Sequence, residues 1–302
     1  MIKISVIMAT YNRLEVLKRV LELYNQQTYD FKKFEVIVID DVSEINPLKE
    51  IKKLKTKYKL RIFRQKKHSG PGLIRNDAIK LAKGKYLLFT GDDMLPDNNL
   101  ISEHMKLHEN NKGIGVLGKV IWHEEVRNEF MNYIEGIQFH YNNIKDRDNV
   151  KFHFYTSNIS LEKEWFKNEK YSPEFKTYGL EDIEIGYRLE KNGLRVVYHP
   201  DALVYHLHIL NFEQFCNRMK NVGKSAVIFV RLHPELKNRY LPMFPLNKIY
   251  KLGSFTLSNK IISYISKKLY WYSNFVYSYL KGIEEEMKNV EASKGFSCFF
   301  NL

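Results

Sequence analysis

Two adjacent carboxylates at the end of an apolar run are the residues of this 302-residue chain best placed to do chemistry. In KGKYLLFTGDDMLP, residues 83–96, Tyr86 to Phe89 read as a buried strand, and Asp92 and Asp93 come just past its carboxyl end. Ligands of open α/β sheets bind beyond that end of the strands. Paired carboxylate oxygens there suit a hard divalent cation, Mg²⁺ or Mn²⁺, that bridges a diphosphate. Acidic side chains also favour helix starts and Pro96 follows closely, so a helix N-cap is the competing reading.

Three further groups have the right chemistry at the right kind of place. Asp40 and Asp41 end a second apolar run, Phe34 to Ile39. Glu181 and Asp182, in YGLEDIEIGYRLEKNG, open a helix buried on Ile183, Ile185, Gly186 and Leu189 and stopped by Gly193. The helix dipole keeps carboxylates at that end ionised, the state a proton acceptor needs, although capping places acids there too. In PDALVYHLH, His206 and His208 share one side if the segment is extended, so both could serve one site. Arg75 lies in the first turn of a helix in HSGPGLIRNDAIKLAKG, where it opposes the dipole unless it faces an anion. A phosphate would satisfy it, and so would an ion pair with Asp77 or Asp92.

The elements that must position these residues alternate. KISVIMATYNRLEVLKRVLELY passes from a continuous apolar run to a helical period at Leu14, Leu17, Leu21 and Tyr24, with Asn12 and Glu15 spaced as a capping box. The strand at 34–39, a lysine-rich helix at 47–58, a strand at 60–63 and the Arg75 helix follow, with Gly84 as a C′ residue. Strand and helix in alternation imply a parallel sheet with right-handed crossovers. Further elements are a helix at 100–109, a strand at 113–122, an extended stretch at 152–161 and a short strand at 195–198. Residues 123–150 are polar and read as a loop region. A helix at 212–230, with a kink at Gly223, leads to an aromatic, lysine-bearing tail at 259–281 in which Ile261, Ile265, Leu269, Tyr272, Val276 and Tyr279 recur at helical spacing.

Composition bounds the setting. The chain is long enough for one large α/β domain with an appendage. Cys216 and Cys298 are far apart and have no metal-ligand spacing, so neither a disulfide framework nor a zinc module is indicated. The first residues lack the layout of a signal peptide and no stretch offers 18 uncharged apolar residues, so the expected location is cytoplasmic. Residues 211–302 carry 14 Lys and Arg against 6 Asp and Glu, so 8 of the 13 net positive charges lie there. Such a basic amphipathic tail fits the inner face of an anionic membrane, or packing on its own domain or a second subunit. The lysines are dispersed without a recognition module, which argues against nucleic acid.

Together these segments resemble family 2 glycosyltransferases over residues 3–235, which implies a GT-A type α/β fold with a mixed, mainly parallel central sheet and a helical C-terminal extension at 236–302. SVIMATYNR is similar to that family's nucleotide-binding start. By that resemblance Ala9, Thr10 and Tyr11, with Arg13 after them, serve the donor, as do Asp40 of VIDDVS and Arg75. GDD stands at the family's Asp-x-Asp motif, which assigns Asp93 to the metal and Asp92 to the ribose side. YGLEDIEIGYRL resembles the segment that supplies the catalytic base, pointing to Asp182 with Glu181 beside it. VYHLH falls where the family often places a metal-binding histidine, here His206. One departure stands out: Gly91 occupies the motif's first acidic position. The resemblance implies an inverting, metal-dependent transfer, with Mn²⁺ or Mg²⁺, from a nucleotide-diphosphate sugar to a glycan, lipid-linked or other cell-envelope acceptor. A sugar-phosphate nucleotidyltransferase would need a glycine-rich, lysine-bearing loop that ATYNR lacks. A non-catalytic sugar-nucleotide binding module is the other alternative, motivated by Gly91.

Overall fold

The computed structural model describes residues 1–176, 178–241, 246–257 and 260–294. The alternation read from the sequence opens the fold: β1 (Ile4–Thr10), α1 (Leu14–Leu23), β2 (Phe34–Asp40), α2 (Leu48–Ile51), β3 (Lys59–Arg64), α3 (Pro71–Leu81) and β4 (Tyr86–Thr90). Next come β5 (Met94–Pro96), α4 (Leu100–Asn110), β6 (Ile114–Trp122), α5 (Glu129–Phe139), β7 (Asn158–Glu162), α6 (Glu181–Lys191) and β8 (Arg195–His206). Helices α7 (Phe212–Leu232), α8 (Lys237–Tyr240), α9 (Leu246–Leu257), α10 (Lys260–Ile265) and α11 (Lys267–Lys294) complete the described chain.

All eight strands form one sheet in the order β3-β2-β1-β4-β7-β6-β8-β5. The first four are parallel, as are β6 and β8, while β7 runs antiparallel to β4 and β6, and β5 to β8. This is the mixed, mainly parallel sheet expected. Every residue of β2 and β4 is buried, which explains their unbroken apolar spelling: a strand covered on both faces has no polar side to alternate.

Contacts divide the described residues into two compact units, 1–173 with 182–209, and 174–181 with 210–302. The first unit's core joins Ile7, Ile37, Phe89, Leu117, Ile159 and Ile185. The second is helical and is built on Ala226, Val227, Val230, Leu280 and Ile283. Helix α7 therefore groups with the C-terminal helices, ahead of the 235/236 division read from the sequence. It runs as one helix of 21 residues through Gly223. Gly223 faces the Tyr279 carbonyl and Gly282 faces the Lys220 carbonyl, and a Cβ at either position would collide with backbone.

Other local expectations are corrected. The lysine-rich helix is a single turn, α2, which buries only Ile51. Lys52, Lys53, Lys55 and Lys57 crowd like charges with too little apolar surface to hold a longer helix. The loop at 123–150 contains α5, capped by Asn128 Oδ1 accepting from Met131 N–H and anchored by Met131, Ile134 and Phe139. The stretch 152–161 is strand only from Asn158, and the strand at 195–198 continues to His206 as β8. Gly84 is not a helix C′ residue; it lies against β1, where a Cβ would stand 2.6 Å from Ser5 N. Asn12 has φ 55° and its Oδ1 accepts from Glu44 N–H, so the capping box with Glu15 does not form. In the tail, Val276 and Tyr279 pack into the helical core, whereas Ile265, Leu269 and Tyr272 are exposed; Asn259 lies outside the described residues.

A buried histidine pair ties α4 to the sheet. Asn158 Nδ2 donates to the Lys119 and Ala202 carbonyls at 3.0 and 2.8 Å, leaving its Oδ1 to accept from His104 Nε2 at 2.8 Å. His104 Nδ1 then accepts from Ser160 Oγ, which accepts in turn from His108 Nε2 at 2.7 Å. Both rings are neutral in this chain of donors, and burial pushes His104 down to about 4 and His108 to about 3. The unfolded chain takes up these protons near pH 6.5 and the folded one does not, so stability falls as pH drops from 6.5 towards 4. At pH 5 the loss is roughly 2 kcal/mol per imidazole, visible as a fall in melting temperature between pH 7 and 5. A His108→Phe variant should keep the stacking on Tyr86, 4.4 Å away, and lose about half of that slope. An unchanged slope would refute the account.

Candidate active site

Strand order gathers the acids at one edge. Strands β1, β2 and β4 are parallel, so Thr10, Asp40 and residues 91–93 finish at the same side, with Thr10 and Asp40 as register partners. Met94 pairs with His206, and Leu207 N–H donates to the Asp93 carbonyl at 2.8 Å, which brings the end of β8 beside the aspartates. Strand β7 begins at that edge too, with Asn158 opposite Thr90.

Direct contacts join five of the anticipated residues. Thr10 Oγ1 donates to Asp92 Oδ2 at 2.7 Å. Arg13 Nη1 donates to Asp92 Oδ1 at 2.8 Å and to Asp93 Oδ2 at 2.7 Å. His206 Nε2 lies 3.2 Å from Asp93 Oδ2, and His208 Nδ1 lies 3.8 Å from the same oxygen. The two imidazoles are near parallel, 5.8 Å apart at 16°, on one side of the chain as alternation required. His206 is held by stacking on Trp122 at 4.8 Å, and its buried Nδ1 has no hydrogen-bond partner.

Charge is divided unequally over the pair. Burial, reinforced by the negative Asp93, pushes Asp92 up to about 6 against the pull of Arg13 and Thr10. Burial opposes the charge of Asp93 as well, but His206, Arg13 and His208 outweigh it and hold Asp93 below the usual carboxylate range. Asp93 is thus the permanent anion. Asp93 Oδ2 and His206 Nε2 are an oxygen and a nitrogen of the kind Mn²⁺ accepts.

Asp40 is fully buried one strand over. Its oxygens accept from Ser43 Oγ and from Ser43 N–H at 3.2 Å, and Arg64 Nη1 lies 2.9 Å from Oδ2. Asp41 accepts from Ser69 and Gly70 N–H at 2.9 and 3.1 Å, pinning the entry of α3. Between these anchors Val42 has φ 66°, costly for a β-branched residue, and Asn12 and Leu180 are also left-handed. Tyr11 is exposed, with its ring 4.9 Å from that of His68, while Ala9 is half-buried on the core.

Asp182 accepts from Ile183 N–H at 2.8 Å and from Thr156 N–H at 3.3 Å. Because Thr156 stands two residues before β7, Asp182 is tethered to the same sheet edge. Glu181 is buried and accepts from Gly179 N–H at 3.0 Å, and Arg75 sits 5.6 Å over the Tyr171 ring, so these two have partners of their own. Sequence reasoning missed Ser43, Arg64, Thr156 and Trp122. Ser43, three residues after Asp40, and Arg64, at the end of the neighbouring strand, were the readable signals.

A sheet of this order, with acids at the carboxyl ends of its parallel strands and a histidine beside them, defines a GT-A glycosyltransferase fold. A family profile described as Glycosyl transferase family 2 matches residues 5–169, and the chain belongs to that family. It is similar to a chondroitin synthase of Escherichia coli, 24% identical over 88% of this chain and 44% of that protein. The chain spans less than half the length of the curated relatives it matches. In fold it is similar to S. aureus TarS 1-349 in complex with UDP, with TM-score 0.58, 18% identity and coverage of 100% of this chain and 94% of that one. It is also similar to the mannosyltransferase PcManGT from Pyrobaculum calidifontis in complex with GDP-Man and Mn²⁺, with TM-score 0.66, 13% identity and coverage of 95% and 87%.

Gly91 stands where the resemblance led the sequence reading to expect an acid. A Cβ there would lie 2.7 Å from Asp93 Oδ1 and 3.1 Å from Met94 Cγ, so an acid at 91 displaces the carboxylate it should assist. Gly91→Asp is expected to lower the melting temperature, and an unchanged one would show that the room exists.

Proposed function

We propose that the protein is an inverting glycosyltransferase that moves a sugar from a nucleoside-diphosphate donor to a hydroxyl of a glycan, lipid-linked or other cell-envelope acceptor. The observation that carries this reading is the convergence of Arg13, Asp92, Asp93 and His206 on one buried oxygen pair at the carboxyl edge of the sheet. Asp93 and His206, with His208 in reach, would hold a Mn²⁺ or Mg²⁺ ion, which supplies positive charge for the departing diphosphate. Thr10, Tyr11, Ala9 and Asp40 line the donor's base and ribose side, Asp92 faces the ribose, and Arg75 adds a cation on the donor side.

The reaction then needs one proton acceptor. The acceptor hydroxyl forms a new bond to the anomeric carbon as the bond from that carbon to the phosphate oxygen breaks, and the electron pair leaves with the diphosphate. The hydroxyl proton passes to Asp182, with Glu181 beside it in sequence. Attack from the face opposite the leaving group inverts the centre. A positioned base of this kind contributes on the order of 10² to 10⁴ in rate.

Asp182→Asn should abolish transfer while the nucleoside diphosphate with Mn²⁺ still raises the melting temperature. Normal turnover by that variant would remove the assignment. Donor hydrolysis or transfer by the wild type also separates an enzyme from a binding module.

The acceptor side of the proposal draws on the chondroitin synthase likeness and on the second unit. Residues 236–283 contain eight Lys and Arg and no Asp or Glu. Leu252, Phe255, Ile265, Leu269 and Tyr272 are exposed there, together with Lys267 and Lys268. Among the described residues no helix is long and apolar enough to cross a membrane. Apolar side chains and lysines exposed on one unit suit docking on an anionic, inner-leaflet lipid surface. The protein should float with phosphatidylglycerol vesicles, and a Phe255→Glu, Leu269→Glu double variant should not. Equal flotation of both forms would remove the membrane contact and favour self-association through the same helices.

A further inference from the structure

The guanidinium of Arg13 stands where a second cation has business. Its Nη1 bridges Asp92 Oδ1 and Asp93 Oδ2, and the latter is the same oxygen that faces His206 Nε2 and His208 Nδ1. A divalent ion held by Asp93 and His206 would claim an atom Arg13 already engages. Two cations on one carboxylate oxygen repel strongly in a buried setting, where both aspartates are about 5% exposed or less.

The two carboxylates are buried, whereas Arg13 is partly exposed. Asp92 and Asp93 lie between two strands, fixed by Thr10 Oγ1 and by the Leu207 N–H on the Asp93 carbonyl. Arg13 lies at the entry to α1 with its side chain 38% exposed. Withdrawing it without replacement would leave the buried pair short of positive charge, a costly state. The exchange therefore needs an incoming cation for the aspartates and an anion to receive the guanidinium. A nucleoside diphosphate offers that anion, with oxygens that match the planar fork of an arginine.

We infer that Arg13 is the resident counter-cation of this site and excludes the divalent ion until a nucleoside diphosphate draws the guanidinium off Asp93. The inference rests on the donor and metal reading above and adds an order to it: nucleotide and metal bind with positive coupling, and the metal alone binds weakly. Because coupling between two ligands is reciprocal, the metal must strengthen nucleotide binding by the same factor. Arg13 acts here through the aspartates, as a positioning residue.

The test is a Mn²⁺ titration of the full chain by paramagnetic resonance, with and without UDP, so that no turnover is required. Arg13→Met should bind Mn²⁺ alone on the order of tenfold more tightly than wild type, and the tightening produced by UDP should shrink by a similar factor. Arg13→Gln removes the charge but keeps a donor for the two oxygens and should also bind Mn²⁺ alone more tightly, which answers the question if the Met variant fails to fold. Affinity for Mn²⁺ alone that is unchanged or weaker in whichever variants fold overturns the inference and leaves the metal reading standing. Absence of Mn²⁺ binding in wild type even with UDP overturns both.

Discussion

The burial of two adjacent carboxylates is the constraint to which the rest of this structure answers. A strand covered on both faces ends in Asp92 and Asp93, and ionised oxygens removed from water demand positive charge or strong donors close by. The fold supplies these from three separate places: Thr10 from the neighbouring strand, Arg13 from the turn after it, and His206 from the far end of the chain's longest strand. The sheet order follows the same need. Only by laying β7, β6 and β8 beyond β4, and β5 on β8, can a histidine more than a hundred residues downstream stand against Asp93.

Unequal electrostatics set the pair apart. Asp93, with Arg13, His206 and His208 about its Oδ2, is held charged below the usual carboxylate range. Asp92, raised by burial and by its neighbour, is the softer acceptor that Thr10 and Arg13 orient. The division arises from neighbours rather than from residue type, since both are aspartates one bond apart in sequence. Asn12, with φ 55°, is left-handed in the turn that carries Arg13 to the pair.

Sequence reading located what depends on local spelling. Unbroken apolar runs identified the strands, acids after those runs identified the site edge, and the His206 and His208 spacing correctly put both rings on one side. It failed where the decisive contact is distant or where surface chemistry hides the pattern. Arg13 reaches partners some eighty residues away, and no local period announces which way an arginine beside a helix will fold. Helix α5 was hidden because a stretch rich in Asn and charge carries only three buried anchors, whereas four lysines after Ile51 disguised a single turn as a longer helix. Glycine misled at Gly84, which read as a terminator; there, as at Gly223, another backbone comes too close for a side chain.

The glycine pair in the helical unit carries one more implication. Where α7 and α11 cross, each helix presents a glycine to a carbonyl of the other, so the mutual notch has a single fitting position. Sliding either helix by one residue would drive a side chain into main chain. The crossing therefore works as a detent, and the two positions are bound to drift together or not at all as relatives of this chain diverge.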